Sequence, residues 1–122
     1  MITENNICSL ADLLEQIKQR EQSIEFEQVM QVIKDNYHYQ SATFHNGKLV
    51  NEAGTNEGSC KIFYFAKLNN LSAQQTLGCF GRYYRDDVLA NSDGQDHANI
   101  RNFINTGWQG IKFNTVALVL VQ

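Results

Sequence analysis

The sequence predicts an α+β fold in one domain spanning residues 1–122, with about five helices, one β-hairpin and a C-terminal strand. Three observations carry this. Several segments repeat apolar residues at i, i+3, i+4 and i+7 behind a capping serine. Asn46-Gly47 sits between short runs rich in β-formers, the strongest short-range hairpin signal. The chain of 122 residues is long enough to bury one core without staples and too short to expect two.

In order, residues 1–8 carry no periodic pattern and read as a loose N-terminus, within which an uncleaved secretion signal would leave no readable motif. Ser9 opens the first helix, with Asp12 three residues on and Leu10, Leu13, Leu14 and Ile17 forming its apolar stripe; it ends near Arg20 or Glu21. Ser23 is expected to open a second helix, with Phe26, Val29, Met30, Ile33 and Tyr37 on one face and Glu25 and Glu27 in its first turn. The two read as an αα-hairpin.

A type I′ turn at Asn46-Gly47 would pair His45 with Lys48, Phe44 with Leu49 and Thr43 with Val50. Residues 50–58 then read as a loop. Ser59 is the expected cap of a third helix through Ile62, Phe63, Ala66 and Leu68. The unbroken apolar run at 62–66 also fits a buried strand, but Ile62 is its one β-branched residue, so a helix is favoured. Ser72 with Gln75 forms a capping box for a fourth helix over about 73–90, its stripe being Leu77, Phe80, Tyr84 and Val88. Gly78 and Gly81 weaken that helix by about 1 kcal/mol each, or let another backbone come close. Asp96 is expected to cap a fifth helix with Ile100, Phe103 and Ile104 inward. Gly107 follows at the C′ position, where glycine takes the left-handed conformation cheaply, and Trp108 falls at C″ and packs back on Phe103. Ile111 to Phe113 leads to a turn at Asn114-Thr115, and residues 116–121 read as a strand.

Charge and cysteine usage limit the function. Residues 1–35 hold seven acids and three bases, and the remainder six acids and seven bases, so the formal net charge of −3 leaves no basic face of the kind nucleic-acid binding needs. Cys8, Cys60 and Cys79 form no disulfide framework and no Cys-x-x-Cys pair, and no apolar run is long enough to span a bilayer. A cytoplasmic protein follows, with an unknown protein or small molecule as partner, no nucleic acid and no membrane span.

No motif with a known mechanism is complete. Cys60, near the start of a helix and beside Lys61, is the one thiol worth weighing as a nucleophile, with His97 or His45 as its base; a buried, inert thiol is the commoner case. No metal and no cofactor is expected: His38 and His45 would face opposite ways on one strand, and the adjacent pair Asp96-His97 does not converge easily on one ion. Arg82, Arg85, Asp86, Asp87 and Arg101 read first as an ion-pair network between helices and second as a clamp for a carboxylate or phosphate. The candidate functional cluster is Glu57, Cys60, Arg85, Asp96, His97 and Arg101. A binding or interaction module is the leading class. A small enzyme is the alternative, and it requires Glu57, Arg85 and His97 to converge on one pocket.

Several blocks in their order resemble one family. These are Thr43-Phe-His-Asn-Gly47, Asn56-Glu-Gly-Ser-Cys-Lys-Ile-Phe63, Gln75-Thr-Leu77 with Phe80-Gly81, Tyr83-Tyr84-Arg85, Asp87-Val88-Leu89, Asp96-His97, Asn99-Ile100-Arg101-Asn102-Phe103 and Gly107-Trp108. Over residues 37–113 the chain resembles the HopJ family, named after a protein delivered into plant cells by bacterial type III secretion. The Asp86-Asp87 pair and the apolar C-terminal run depart from the family pattern. The resemblance implies export by a type III system without a cleaved signal peptide, and it brings no activity, substrate, cofactor or site residue with it.

Overall fold

The computed structural model describes residues 9–121, and the expectation for residues 1–8 lies outside them. The order is α1 (Leu10–Arg20), a 3₁₀ turn (Glu21–Ser23), α2 (Phe26–Asn36), β1 (Tyr37–Tyr39), β2 (Phe44–Asn46), β3 (Leu49–Asn51), α3 (Glu57–Leu68) and α4 (Ala73–Gly78). A π-helical segment (Tyr83–Val88), a 3₁₀ turn (Leu89–Asn91), α5 (Ala98–Thr106), a 3₁₀ turn (Gly107–Gly110), β4 (Ile111–Phe113) and β5 (Leu118–Leu120) complete it. Two small antiparallel sheets form, β1 with β5 and β3-β2-β4 with β2 in the centre. The fold is α+β, as expected.

Helix α1 begins as read: the Asp12 amide donates to Ser9 Oγ at 3.0 Å, and Leu13 and Ile17 are fully buried. Helix α2 starts later than Ser23 would set it. Ile24 is fully buried and extended, so the chain cannot turn helical until it has delivered that side chain to the core. Glu25 is the N-cap, its amide donating to Gln28 Oε1, while Ser23 Oγ donates to the Arg20 carbonyl and accepts from Gln16.

Helix α3 is the centre of the core. Cys60, Ile62, Phe63, Tyr64, Phe65 and Ala66 are all buried, which explains a run without a polar gap: the stretch 62–66 is covered on every side, and the exposed Glu57, Lys67 and Leu68 lie at the helix ends. The Phe63 ring meets Phe44, Phe80 and Phe103 at centroid distances of 5.9, 5.5 and 5.0 Å. Its N-cap is Asn56, in a left-handed conformation, not Ser59.

The long fourth helix is broken. The Ser72/Gln75 capping box is present on both sides, but α4 ends at Gly78, and Gly81 takes φ +62°. A Cβ on Gly81 would stand 2.7 Å from the Phe26 backbone nitrogen, and one on Gly78 would stand 2.9 Å from Glu21 Cβ. Both glycines let the α1–α2 connection approach the backbone, and that approach costs the helix its continuity. The stripe survives, since Leu77, Phe80, Tyr84 and Val88 are buried in the separate pieces.

The hairpin register also differs. Asn46 pairs with Leu49, His45 with Val50 and Phe44 with Asn51, so the two-residue loop is Gly47-Lys48. Gly47 has φ +61° and Lys48 has no positive φ, the pattern of a II′ turn with glycine first. Asn46 is held in the strand because its side chain is completely buried and bonded to α5. In α5, His97 stands at the N-cap with φ 52° where Asp96 was expected, and Ile104 faces out, 46% exposed. At the C-terminal end Gly107 is the C-cap itself rather than C′, with φ +61° and ψ −156°, outside the left-handed helical region; its N–H donates to the Phe103 carbonyl, and Trp108 meets Phe103 edge-on at 5.4 Å, the contact expected. Trp108 Nε1 also donates to the Leu71 carbonyl at 3.1 Å. Among the described residues, no helix is long and apolar enough to cross a membrane.

Candidate functional site

Helices α3 and α5 begin in the same way. Each starts from a residue forced into the left-handed region, Asn56 at φ 49° and His97 at φ 52°, and neither start receives a side-chain cap. The first N–H groups of a helix have no partner inside it, and they sum with the backbone dipoles to a partial positive charge. Both first turns, at Gly58 and Ser59 and at Ala98 and Asn99, line one cleft of about 490 Å³. Phe26, Tyr83 and Phe80 contribute apolar wall, the Phe26 and Tyr83 rings meeting edge-on at 5.2 Å.

An asparagine network supports the polar side. Asn99 Oδ1 accepts from Asn46 Nδ2 at 2.9 Å and Asn51 Nδ2 at 3.1 Å, and its own Nδ2 donates to Asn51 Oδ1 at 2.8 Å. Asn56 Nδ2 donates to Asn51 Oδ1 at 2.7 Å, and Asn102 Nδ2 to the Asn46 carbonyl at 2.6 Å. Asn46, Asn51 and Asn99 are buried. The network ties the hairpin, the loop before α3 and the start of α5 into one unit. Asn51, Asn56 and Asn99 all reach the cleft. Sequence reasoning missed these residues, because each asparagine reads as local turn chemistry. One signal was there: Asn99, Asn102 and Thr106 stand at i, i+3 and i+7, a polar stripe beside the apolar one.

The six residues singled out from sequence fall into three places, and of them only His97 lines the cleft. Glu57 accepts a hydrogen bond from the Tyr39 hydroxyl at 3.2 Å, and Lys61 lies over the Tyr39 ring at 4.6 Å. Burial first, then the neighbouring Cys60 and Glu57, push the Tyr39 hydroxyl up. Cys60 is 1% exposed, with Sγ 3.8 Å from the Ala42 carbonyl, and burial raises its pKa despite its place in the first turns of α3. Cys79 is pushed up to about 12 by burial alone. Both thiols stay protonated at neutral pH, the opposite of what a nucleophile needs.

Arg85, in the π-helical segment, does not line the cleft. It donates to the Ile24 carbonyl at 2.9 Å and approaches Glu25 at 3.5 Å, fastening the α1–α2 connection. Asp96, His97 and Arg101 do come together. Arg101 donates to the carbonyls of Asp96, Asn91 and Asp87 and to Asp96 Oδ1 at 2.6 Å, and this last bond holds the Asp96 carboxyl below its usual range. His97 Nε2 stands 2.9 Å from Asp87 Oδ2 and 3.8 Å from Asp96 Oδ2. The left-handed backbone at His97 therefore lets adjacent side chains face one another, which their spacing in sequence argued against. Glu57, Arg85 and His97 do not share one pocket: each is paired with a different partner.

No curated protein is significantly similar to the chain. Among solved structures, the crystal structure of a protein of unknown function, VPA0580, is similar at 50% identity and a TM-score of 0.91, covering 92% of this chain and 93% of that one. The model of the HopJ type III effector protein family matches residues 10–118. That match takes in the asparagine network, the cleft and every candidate residue, and the chain belongs to the HopJ family.

Proposed function

We propose that this protein is a small binding module whose ligand occupies the cleft between the first turns of α3 and α5, and that the ligand is a small molecule bearing a carboxylate or phosphate. The observation that carries this reading is the convergence of two uncapped helix starts on one cleft, with an aromatic wall for the ligand's apolar part. Backbone N–H groups at helix starts bind anions without a basic side chain, and no lysine or arginine lines this cleft. A concave site with apolar walls and a few convergent polar groups is the usual form of a small-molecule pocket.

Ser59→Glu tests it. A carboxylate in the first turn of α3 suits the helix dipole and is expected to leave stability unchanged or raise it by about 0.5 kcal/mol, while occupying the anion position. In titrations of the labelled chain with inorganic phosphate, acetate and phosphorylated sugars, the amides of Gly58, Ser59, Ala98 and Asn99 are expected to shift, and the substitution to abolish the shifts. Shifts elsewhere, or shifts that persist in Ser59→Glu, would overturn the reading.

The family's name supports a second element, delivery by a type III system. Residues 1–20 fused to a reporter are expected to leave a type III-competent host and to remain inside a secretion-deficient one. Retention in both hosts argues against export and leaves the cleft reading standing.

A further inference from the structure

Beside the cleft, three side chains from two segments point at one volume. Asp87 comes from the π-helical segment, and Asp96 and His97 from the turn before α5. One donor atom from each lies within 4.8 Å of the other two. Donors held roughly 2.0–2.2 Å from a four-coordinate ion stand about 3.4 Å apart. His97 Nε2 shares a hydrogen bond with Asp87 Oδ2 at 2.9 Å, whose proton the ion would displace to solvent, and stands 3.8 Å from Asp96 Oδ2; the two separations bracket that spacing. Rotations of the two half-exposed carboxylates would close it.

The geometry points to a site for one divalent first-row transition cation, bound by His97 Nε2, a carboxylate oxygen of Asp87 and Oδ2 of Asp96. The remaining positions would face solvent. This goes beyond the cleft reading and does not rest on it. The donor chemistry sets the class of ion. An imidazole nitrogen with two carboxylates suits zinc or manganese, offers no thiolate for softer ions, and is a poor match for the all-oxygen shells of calcium and magnesium.

Arg101 has the part of an outer-sphere residue. It takes Asp96 Oδ1 and leaves Oδ2 toward the imidazole, and its bonds to the carbonyls of Asp87, Asn91 and Asp96 fix the two segments relative to each other. Such partners orient metal ligands. Its positive charge also offsets part of the carboxylate charge, so the ion should exchange readily.

The test titrates the full chain with Zn²⁺ alone and Mn²⁺ alone near neutral pH, by calorimetry. One ion per chain is expected. His97→Gln and Asp87→Asn should each weaken binding about tenfold or more, and His45→Gln, on β2, should not. Mn²⁺ should broaden the resonances of residues 87, 96 and 97 in the unaltered chain, a readout that does not depend on any variant folding. Absence of binding, broadening centred elsewhere, binding that survives both substitutions, or equal competition by Mg²⁺ would each overturn the assignment.

Discussion

Gly81→Ala is expected to destabilise the fold by about 2–5 kcal/mol, the sum of two separate costs. Placing an alanine at φ +62° costs about 1–2 kcal/mol, since Cβ then crowds the following carbonyl. Forcing a methyl into a position 2.7 Å from the Phe26 nitrogen, with the Glu25 backbone 3.3 Å away, adds about 1–3 kcal/mol of overpacking. The opposing atoms are backbone, so no side chain can swing aside. For a chain of this size the loss should lower Tm by on the order of 10 °C. Gly54→Ala is the control: its φ is +91°, but a Cβ there meets nothing within 4 Å, so only the conformational cost applies. Thermal and denaturant unfolding of both variants separates the terms. Equal losses would mean that the close approach of the α1–α2 connection contributes nothing.

The same glycine shows where sequence reasoning stops. A window over residues 73–90 has a sound capping box and a sound apolar stripe, both visible locally, and both are present. What divides the helix is the backbone of residues 21–26 pressing on Gly78 and Gly81, and no local pattern encodes a neighbour more than fifty positions away. Ser9 and Ser72 cap as read because their hydrogen bonds close within three residues. Ser23 fails because Ile24 must first be buried, and the hairpin turn moves on by one residue, shifting every pair by two, because Asn46 is bonded to Asn99 rather than free to form the turn. For the site, the polar residue types around positions 57, 85 and 96–101 were visible, but their grouping was not. It depends on two left-handed residues, Asn56 and His97, that spacing rules do not anticipate. The cleft itself was invisible, since it exists only where the starts of α3 and α5 meet.

The asparagine network that joins those starts should be the most sensitive polar element of the fold. Asn99→Ala removes the Oδ1 acceptor of Asn46 Nδ2 and Asn51 Nδ2 and the donor to Asn51 Oδ1. Asn46 keeps its bond to the Asn99 main-chain carbonyl, and Asn51 Oδ1 keeps Asn56, so two buried N–H groups lose their partner. At roughly 1–3 kcal/mol for each stranded group, the expected cost is about 4 kcal/mol. Denaturant unfolding gives the number, and a double-mutant cycle gives its origin. Asn51→Ala in the Asn99→Ala background removes one of the two stranded groups, so the double variant should be more stable than the sum of the single losses predicts, by about 1–2 kcal/mol. Strict additivity would mean that the two amides act independently, and the link between hairpin and helix starts would then rest on the bonds Asn46 makes to the Asn99 carbonyl and to Asn102, with the apolar contacts of Phe44, Phe63 and Phe103. A coupling of the expected size makes the network the element that holds both helix starts on the cleft, and loss of the amide shifts on anion titration in Asn99→Ala would follow from it.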